Sequence, residues 1–512
     1  VLSDVVFGFN VFVLIYFLAL NSIYLILFLI SLWEVVRFVR RTFFSDYRQI
    51  MQSEMTWPIS VVVPANDEEK TIVETVRSLM MVNYSEFEII VVNDGSEDGT
   101  LAKLVDAFEL RRMDKVYRVQ LPTEEVRGLY GSLAHPNLVI VDKVKGGKSD
   151  ALNAGINVAR YPLFCSIDAD SVIEDNALLR VVKPFMERPE ETVAVGGIVR
   201  IVNGCEVRDG RVTHIELPDR PLPIFQVVEY LRAFLTGRVG WSVLRALLII
   251  SGAFGIYRKK EVIEIGGYSR ETVTEDLDLV VRLHRHMRQN RKKYRVVFVP
   301  DPVCWTEVPE SRRVLGRQRN RWHRGLMETM WRHRRMVGNP RYGVVGWFGM
   351  PYFLVLEGLG PLIEVAGYAA FLVAAAMGLV SPMWAVAFFT LAVMAGAVLS
   401  FGALMIEERA FRRYRAKRCT ARLVLAAIVE NLGYRQWNSF VRAGAFITLM
   451  RGSSHWGEMQ RKGFGGGVAS PPALAGAETA ASRSGGTFGD PEQVGQLEAS
   501  GHHETADGRD PA

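Results

Sequence analysis

The sequence predicts an α/β domain with a mostly parallel sheet, flanked by apolar helices able to cross a membrane. Three observations carry this. Between about 57 and 300, short β-branched runs alternate with mixed polar and apolar stretches of helical character. Apolar residues collect outside that region, at 5–32 and again between about 343 and 450. Acid-rich polar motifs follow the β-branched runs directly, where such sheets bind ligands beyond the carboxyl ends of their strands.

The first element is 5-VVFGFNVFVLIYFLALNSIYLILFLISLW-33, which carries no charged residue. It is long enough to span a bilayer, which needs roughly 20 apolar residues. A cleaved signal peptide needs a basic start, a shorter apolar run and a small-residue cleavage site, none of which is evident, so the segment reads as an anchor. Arg37, Arg40, Arg41 and Arg48 follow it. Their position places the next domain, 57–335, in the cytosol. A chain of 512 residues exceeds one ordinary core, in keeping with several units.

Six runs read as strands: 59-ISVVV-63, 87-FEIIVV-92, 138-LVIV-141, 163-LFCSI-167, 193-VAVGGIVRI-201 and 295-RVVFV-299. After 335 the chain returns to apolar sequence. Glu357, Pro361 and Glu364 interrupt 345–380, which reads as an interfacial or re-entrant helix to about 358 and then a span. A second span covers 383–406. The segment 422–450 contains Glu430, Arg435, Gln436 and Arg442, and fits either a span lining a polar cavity or a pair of interfacial helices. Together 343–450 form a C-terminal helical region. Residues 463–512 are rich in Gly, Ala, Ser, Pro and Glu and read as a disordered tail.

The net charge of +6 is local in origin. Nine arginines and one acid, Glu328, lie between Arg312 and Arg335, and 409-RAFRRYRAKR-418 holds six more basic residues. Basic segments beside apolar spans face anionic lipid. No nucleic-acid-binding motif accompanies the charge. Cys165, Cys205, Cys304 and Cys419 are too scattered for a zinc cluster or disulfide framework and are expected as free thiols.

Chemistry is suggested first by 163-LFCSIDADSVIEDN-176. Asp168 and Asp170 follow a buried strand and share a face if the backbone stays extended. Paired carboxylates suit a hard cation such as Mg²⁺ or Mn²⁺, though a plain turn explains the same residues. In 145-KGGKSDALNAG-155 two glycines allow close backbone approach to a ligand, Lys148 adds positive charge, and Ser149 is placed to cap a helix from about 150. The P-loop spacing is absent. The segments 61-VVVPANDEEKT-71 and 90-IVVNDGSEDGT-100 end strands in acids, and Asp94 precedes a glycine. A carboxylate there suits a base or ribose; helix capping accounts for Asp98 and Thr100. The dinucleotide fingerprint is missing, which argues against an oxidoreductase. In 272-TVTEDLDLVVRLHR-285, Thr274, Glu275 and Asp276 open a helix, as capping alone would dictate, or supply a general base. In 317-RQRNRWHRG-325, Trp322 stands among arginines, as in an interfacial helix or a site for a sugar diphosphate.

Taken together, PANDEE (64–69), VNDGS (92–96), GGKSDALN (146–153), DADS (168–171), TED (274–276) and QRNRW (318–322) resemble the membrane-integrated, processive family-two glycosyltransferases, the synthases of cellulose, chitin oligosaccharides, hyaluronan and poly-N-acetylglucosamine. HWGEMQRKGF (455–464) is similar to the family's closing segment. The resemblance covers roughly 10–460. It implies a Rossmann-like GT-A fold and an inverting transfer from a UDP-sugar, with UDP-N-acetylglucosamine the favoured donor, to a growing polysaccharide or oligosaccharide. It also implies a multi-pass protein of the inner cell membrane with a cytosolic catalytic domain. By the same resemblance, Ala65, Glu68, Asp94, Lys148 and Asp168 attend the nucleotide. Asp170 and Asp168 hold Mg²⁺ or Mn²⁺, and Asp276 is the base. Glu275, Gln318, Arg321 and Trp322 flank the diphosphate and acceptor. The family's usual Asn-Glu is Asp67-Glu68 here. Two other readings use the same motifs: a non-processive glycolipid glycosyltransferase, and a membrane receptor or transporter with an inactive nucleotide-binding domain.

Overall fold

The computed structural model describes residues 2–42, 56–414 and 416–451, which belong to one compact unit. Arg48, the 455–464 motif and the tail from 463 lie outside the described residues. The strands in chain order are β1 (Ile59–Ala65), β2 (Phe87–Asp94), β3 (Arg111–Met113), β4 (Val126–Gly131), β5 (Leu138–Lys143), β6 (Leu163–Ile167), β7 (Ser171–Ile173), β8 (Thr192–Ile201), β9 (Glu206–Arg208), β10 (Arg211–His214), β11 (Phe254–Arg258) and β12 (Arg295–Thr306). The helices used below are α1 (Leu2–Thr42), α2 (Ile72–Met80), α3 (Thr100–Ala107), α4 (Lys148–Val158), α5 (Ala177–Glu187), α6 (Pro221–Leu231), α7 (Glu275–Gln289), α8 (Arg312–Arg332), α9 (Gly360–Ala376), α10 (Ala395–Ala410), α11 (Lys417–Val429) and α12 (Arg435–Met450).

Ten strands form one sheet in the order β3-β4-β5-β2-β1-β6-β11-β8-β12-β7. The run β5-β2-β1-β6 is parallel, and β12 is parallel to β8. All six β-branched runs are strands. β6 and β8 are buried at every position, because helices cover both faces of a parallel sheet. The sequence reading did not supply β3, β4, β7, β9, β10 or β11; of these the one that positions the site is β11, which runs antiparallel between β6 and β8. Its reversal brings its first residues to the edge where β1, β2, β5 and β6 end. Residues 251–253 therefore join the strand-end motifs.

Among the described residues, two helices are long and apolar enough to cross a membrane, Val6–Arg41 and Val345–Ala376. The helical run through 345–376 continues past Glu357 and Pro361, where the sequence reading placed a break. It accommodates them with wider π-type turns at Val345–Gly349 and Phe353–Gly358. Pro361 sits at the start of α9, where its missing N–H costs nothing. One side of α1 packs on α9, α10 and the π-type turn Arg232–Arg238. The other side leaves Phe12, Ile15, Leu18, Leu29 and Trp33 more than half exposed. A contiguous apolar surface of this kind is the face a protein offers to lipid. The four cysteines are free thiols.

Candidate active site

Most of the strand-end motifs are held together by their own polar groups. At the end of β1, Ala65 is buried and pairs in register with Asn93. Asp67 adopts φ +57°, a conformation Asp and Asn tolerate better than other side chains, and its carboxylate accepts from Glu97 N at 2.8 Å. Glu68 is buried, and its carboxylate accepts from Thr71 Oγ1 at 3.0 Å while its N–H donates to Thr100 Oγ1 at 2.9 Å. The loops after β1 and β2 are thus stitched into one wall.

Asp94 organises a second wall. Its Oδ1 accepts from Lys143 Nζ at 2.6 Å and Gly146 N at 2.9 Å, and its Oδ2 from Gly147 N at 2.7 Å. Lys143, fully buried, also pairs with Asp150 at 2.6 Å. Asp94 therefore shapes the 145–148 loop. Gly147 turns that loop at φ +89° and is itself the residue that begins α4; Ser149, expected as the cap, lies inside the helix. The consequence is that Lys148 leads α4 with its side chain in the cleft.

There Lys148 Nζ meets Asp168 Oδ1 at 2.6 Å and Glu275 Oε1 at 3.1 Å. Asp276 lies beside them: its Oδ2 accepts from Gly252 N at 3.1 Å and its Oδ1 from Leu277 N at 2.8 Å. A Cβ built on Gly252 would stand 3.0 Å from Lys148 Nζ, 3.7 Å from Asp276 Oδ2 and 3.8 Å from Glu275 Oε1. Gly252 thus floors a cleft in which three carboxylates surround one ammonium. Burial works against the Lys148 charge, but Asp168 and Glu275 outweigh it and hold the ammonium above its usual pKa. Burial, then the charge of Glu275, pushes the Asp276 carboxyl from 3.8 up to about 6, against Lys148 and Arg238. A carboxyl held there titrates close to neutral pH, as a general base should.

Asp278, in the same first turn, is instead held by two side-chain partners, Arg282 Nε at 2.7 Å and His333 Nε2 at 3.0 Å. Asp168 and Asp170 sit on a tight turn, closed by Ser171 N to Asp168 O at 3.1 Å, and not on extended backbone as the shared-face argument required. Asp170 is buried and Asp168 partly exposed. No group of three or more His, Cys, Asp or Glu arranged to hold a metal occurs among the described residues. Two carboxylates on one turn nonetheless fit a hard divalent ion that takes its other ligands from water and phosphate oxygens.

The QRNRW motif lies on α8. Gly325 brings α8 against the TED motif: a Cβ there would stand 2.4 Å from both Thr274 Oγ1 and Thr274 Cγ2. Trp322 is three residues earlier and so lies on the same helix face. Arg319 donates to Glu229 Oε2 at 2.9 Å, and its guanidinium lies 4.5 Å from the Trp322 ring centroid. Gln318 Oε1 is buried with no hydrogen-bond partner among the described residues. Arg321 lies one turn before Arg324 on this helix.

Beyond the cleft, between the sheet domain and the apolar helices, is a cavity of about 330 Å³. Tyr24, Glu229, Arg238, Trp241, Glu357 and Arg442 are among its walls. Its size falls in the range of small-ligand sites, roughly 300–1,000 Å³. Gly252 and Arg238 are the site residues the sequence reading missed. The small-residue run 251-SGAFG-255 signals the first; nothing local signals the second.

Two family models match the chain: "Glycosyl transferase family 2" over 60–249 and "Glycosyl transferase family group 2" over 163–399. The poly-beta-1,6-N-acetyl-D-glucosamine synthase of Staphylococcus epidermidis is 28% identical over 274 residues, which cover 54% of this chain and 56% of that protein. The protein of the same name from Staphylococcus aureus strain COL is 26% identical over 275 residues, with the same coverage. The match therefore spans about half the length of these curated relatives. Among solved structures, a mannosyltransferase from Pyrobaculum calidifontis, in complex with GDP-Man and Mn²⁺, is similar at a TM-score of 0.47 and 20% identity, over 83% of this chain and 99% of that one. Matched by family models that run from the first strand into the helical region, residues 60–399 carry a family-two glycosyltransferase domain.

Proposed function

We propose that this chain is a membrane-embedded polysaccharide synthase that transfers a hexosamine, with inversion and processively, from a UDP-sugar to the growing end of a glycan. The observation that carries this reading is the Lys148–Asp168–Glu275 cluster with Asp276 beside it on Gly252. The similarity to poly-N-acetylglucosamine synthases favours UDP-N-acetylglucosamine as donor. Our division of the chain is an anchor at 5–33, a cytosolic catalytic domain at 57–335 and membrane helices within 343–450. The positive residues after the anchor support this orientation.

In this mechanism Asp276 accepts the proton of an acceptor hydroxyl. The freed oxygen pair forms a bond to the anomeric carbon as the bond from that carbon to the diphosphate oxygen breaks. UDP departs with the electron pair. A single displacement from the opposite face inverts the anomeric configuration, by the logic of inverting glycosidases. Lys148 offsets charge growing on the leaving diphosphate. Asp168 and Asp170 would hold Mg²⁺ or Mn²⁺, which supplies further charge to the same diphosphate. The walls built by Ala65, Glu68 and Asp94 shape the nucleotide side. Gln318, Arg321 and Trp322, on the helix docked at Thr274, flank the acceptor side.

The test is Asp276→Asn in purified full-length chain. UDP release should fall about 10²–10⁴-fold, the usual contribution of a general base, while UDP binding measured by calorimetry stays within twofold. Lost UDP binding would remove the base assignment. The same assay in EDTA should lose turnover and regain it with Mn²⁺ or Mg²⁺; full activity in EDTA would remove the metal from the scheme.

A further inference from the structure

The Asp94 carboxylate is buried and already holds three donors, Lys143 Nζ and the backbone N–H groups of Gly146 and Gly147. Lys143 is just as fully engaged. Its ammonium meets Asp94 Oδ1 at 2.6 Å, Val144 O at 2.5 Å and Asp150 Oδ1 at 2.6 Å, one partner for each of its three N–H bonds. Asp150 closes the network from the other side. It is buried in the first turn of α4, where its carboxylate also accepts from Glu124 N at 3.2 Å and pairs with Arg270. Arg270, partly exposed, reaches Glu124 Oε1 at 2.8 Å with its other arm. Two buried carboxylates thus face two cations. The packing leaves no room for larger residues beside them: a Cβ on Gly146 would stand 2.6 Å from Asp150 Oδ1, and one on Gly95 would stand 2.7 Å from Lys145 N.

These residues join the two segments that furnish the cleft. One is the 145–148 loop, which ends in Lys148. The other is 268–273, which leads directly into Thr274, Glu275 and Asp276. Helix α4 grips the second segment twice. Asp150 holds Arg270, and Asn153 brackets Tyr268, with Nδ2 donating to Tyr268 O at 2.9 Å and Oδ1 accepting from Tyr268 N at 2.8 Å. Lys148 Nζ then crosses the gap to Asp168 and Glu275. Burying ions is costly, and apolar side chains of similar volume often serve stability as well or better. What a fully paired polar network adds is direction, because each bond fixes one loop relative to α4.

We infer that Lys143, Asp150 and Arg270 are positioning residues that lock the 145–148 loop to the segment before Thr274 and so place Lys148 against the diphosphate of the donor. This deepens the proposed function and rests on it for the identity of the donor. The test is a double-mutant cycle of Asp150→Asn with Lys148→Met in the full-length chain in nanodiscs, read by calorimetry of UDP binding in the presence of Mn²⁺. Asp150→Asn should weaken UDP binding roughly three- to tenfold, the size of a disturbed charge-assisted hydrogen bond. In the Lys148→Met chain the same substitution should change binding by less than about twofold, because the group it positions is gone. Arg270→Met, at a partly exposed position, should weaken binding roughly two- to threefold and carries the same cycle if the asparagine variant does not fold. Equal weakening in both backgrounds would mean general damage to the loop and would overturn the inference. So would UDP binding that the substitutions leave unaltered, or that wild type lacks. The expected coupling in a chain that releases no UDP from any UDP-sugar would uphold the inference and overturn the proposed reaction.

Discussion

The cleft at the strand ends and the cavity beside the apolar helices are both built from charged residues, and they balance charge in opposite ways. In the cleft, Asp168, Glu275 and Asp276 gather around a single lysine. In the cavity, Glu357 receives Arg442, Tyr24 and Tyr352, and the buried Glu430 receives Arg232 and Ser400. Carboxylates in excess invite more positive charge or a proton, which are the things a transfer from a diphosphate requires. Carboxylates already matched in a poorly solvated place serve as scaffold, because an ionised group at membrane depth persists only when paired. A shared inventory of acids and bases thus makes a reactive cluster in the cleft and a fixed lining in the cavity beside it.

The largest effect should come from worsening the imbalance in the cleft. Lys148→Met leaves three carboxylates without their common counter-charge and removes a group facing the leaving diphosphate. UDP-sugar turnover should drop on the order of 10²-fold. A variant with near-native kcat/KM for the donor would mean that Lys148 serves only to dock α4.

A pH profile sharpens the same contrast. Asp276 must be ionised to act, so kcat/KM should climb about tenfold per pH unit up to about 6 and level off above it. The folding contribution has the opposite sign. The carboxyl binds its proton more tightly folded than unfolded, 3.8 against about 6, so the stability this confers is complete below 3.8 and is lost as pH rises through 6. A profile flat between pH 5 and 7 would exclude Asp276 as the base.

The smallest effect is expected in the cavity. Glu357→Gln removes the charge that Arg442 faces and should lower stability by about 1–3 kcal/mol, read as a lower thermal midpoint in nanodiscs. Replacing Arg442 by Met in the same chain should recover part of that loss. Two additive losses would show that the pair is not a unit.

Six of the twelve strands, β1, β2, β5, β6, β8 and β12, were legible because a β-branched run is a local property. So was the long apolar helix α1, through its uncharged length. The motif residues Lys148, Asp168, Glu275 and Asp276 were legible as candidates through their positions after strands and at a helix start. Their assignment was less so. Asp94 and Asp278 are acids of the same kind in similar places, yet one holds a loop and the other is clamped between Arg282 and His333.

The amino-acid sequence by itself determined which segments are strand, helix and apolar span, and which few acids stood at strand ends. Tertiary structure alone decided that β11 enters the sheet backwards and carries Gly252 to Asp276, and that Gly325 lets α8 close on Thr274. It alone left Arg238 Nη1, in the cavity wall, without a hydrogen-bond partner among the described residues. The physical reason is range. Propensity and hydrophobic period act over a few neighbours, whereas a side chain's charge balance depends on groups that are distant in sequence and meet only when the chain packs.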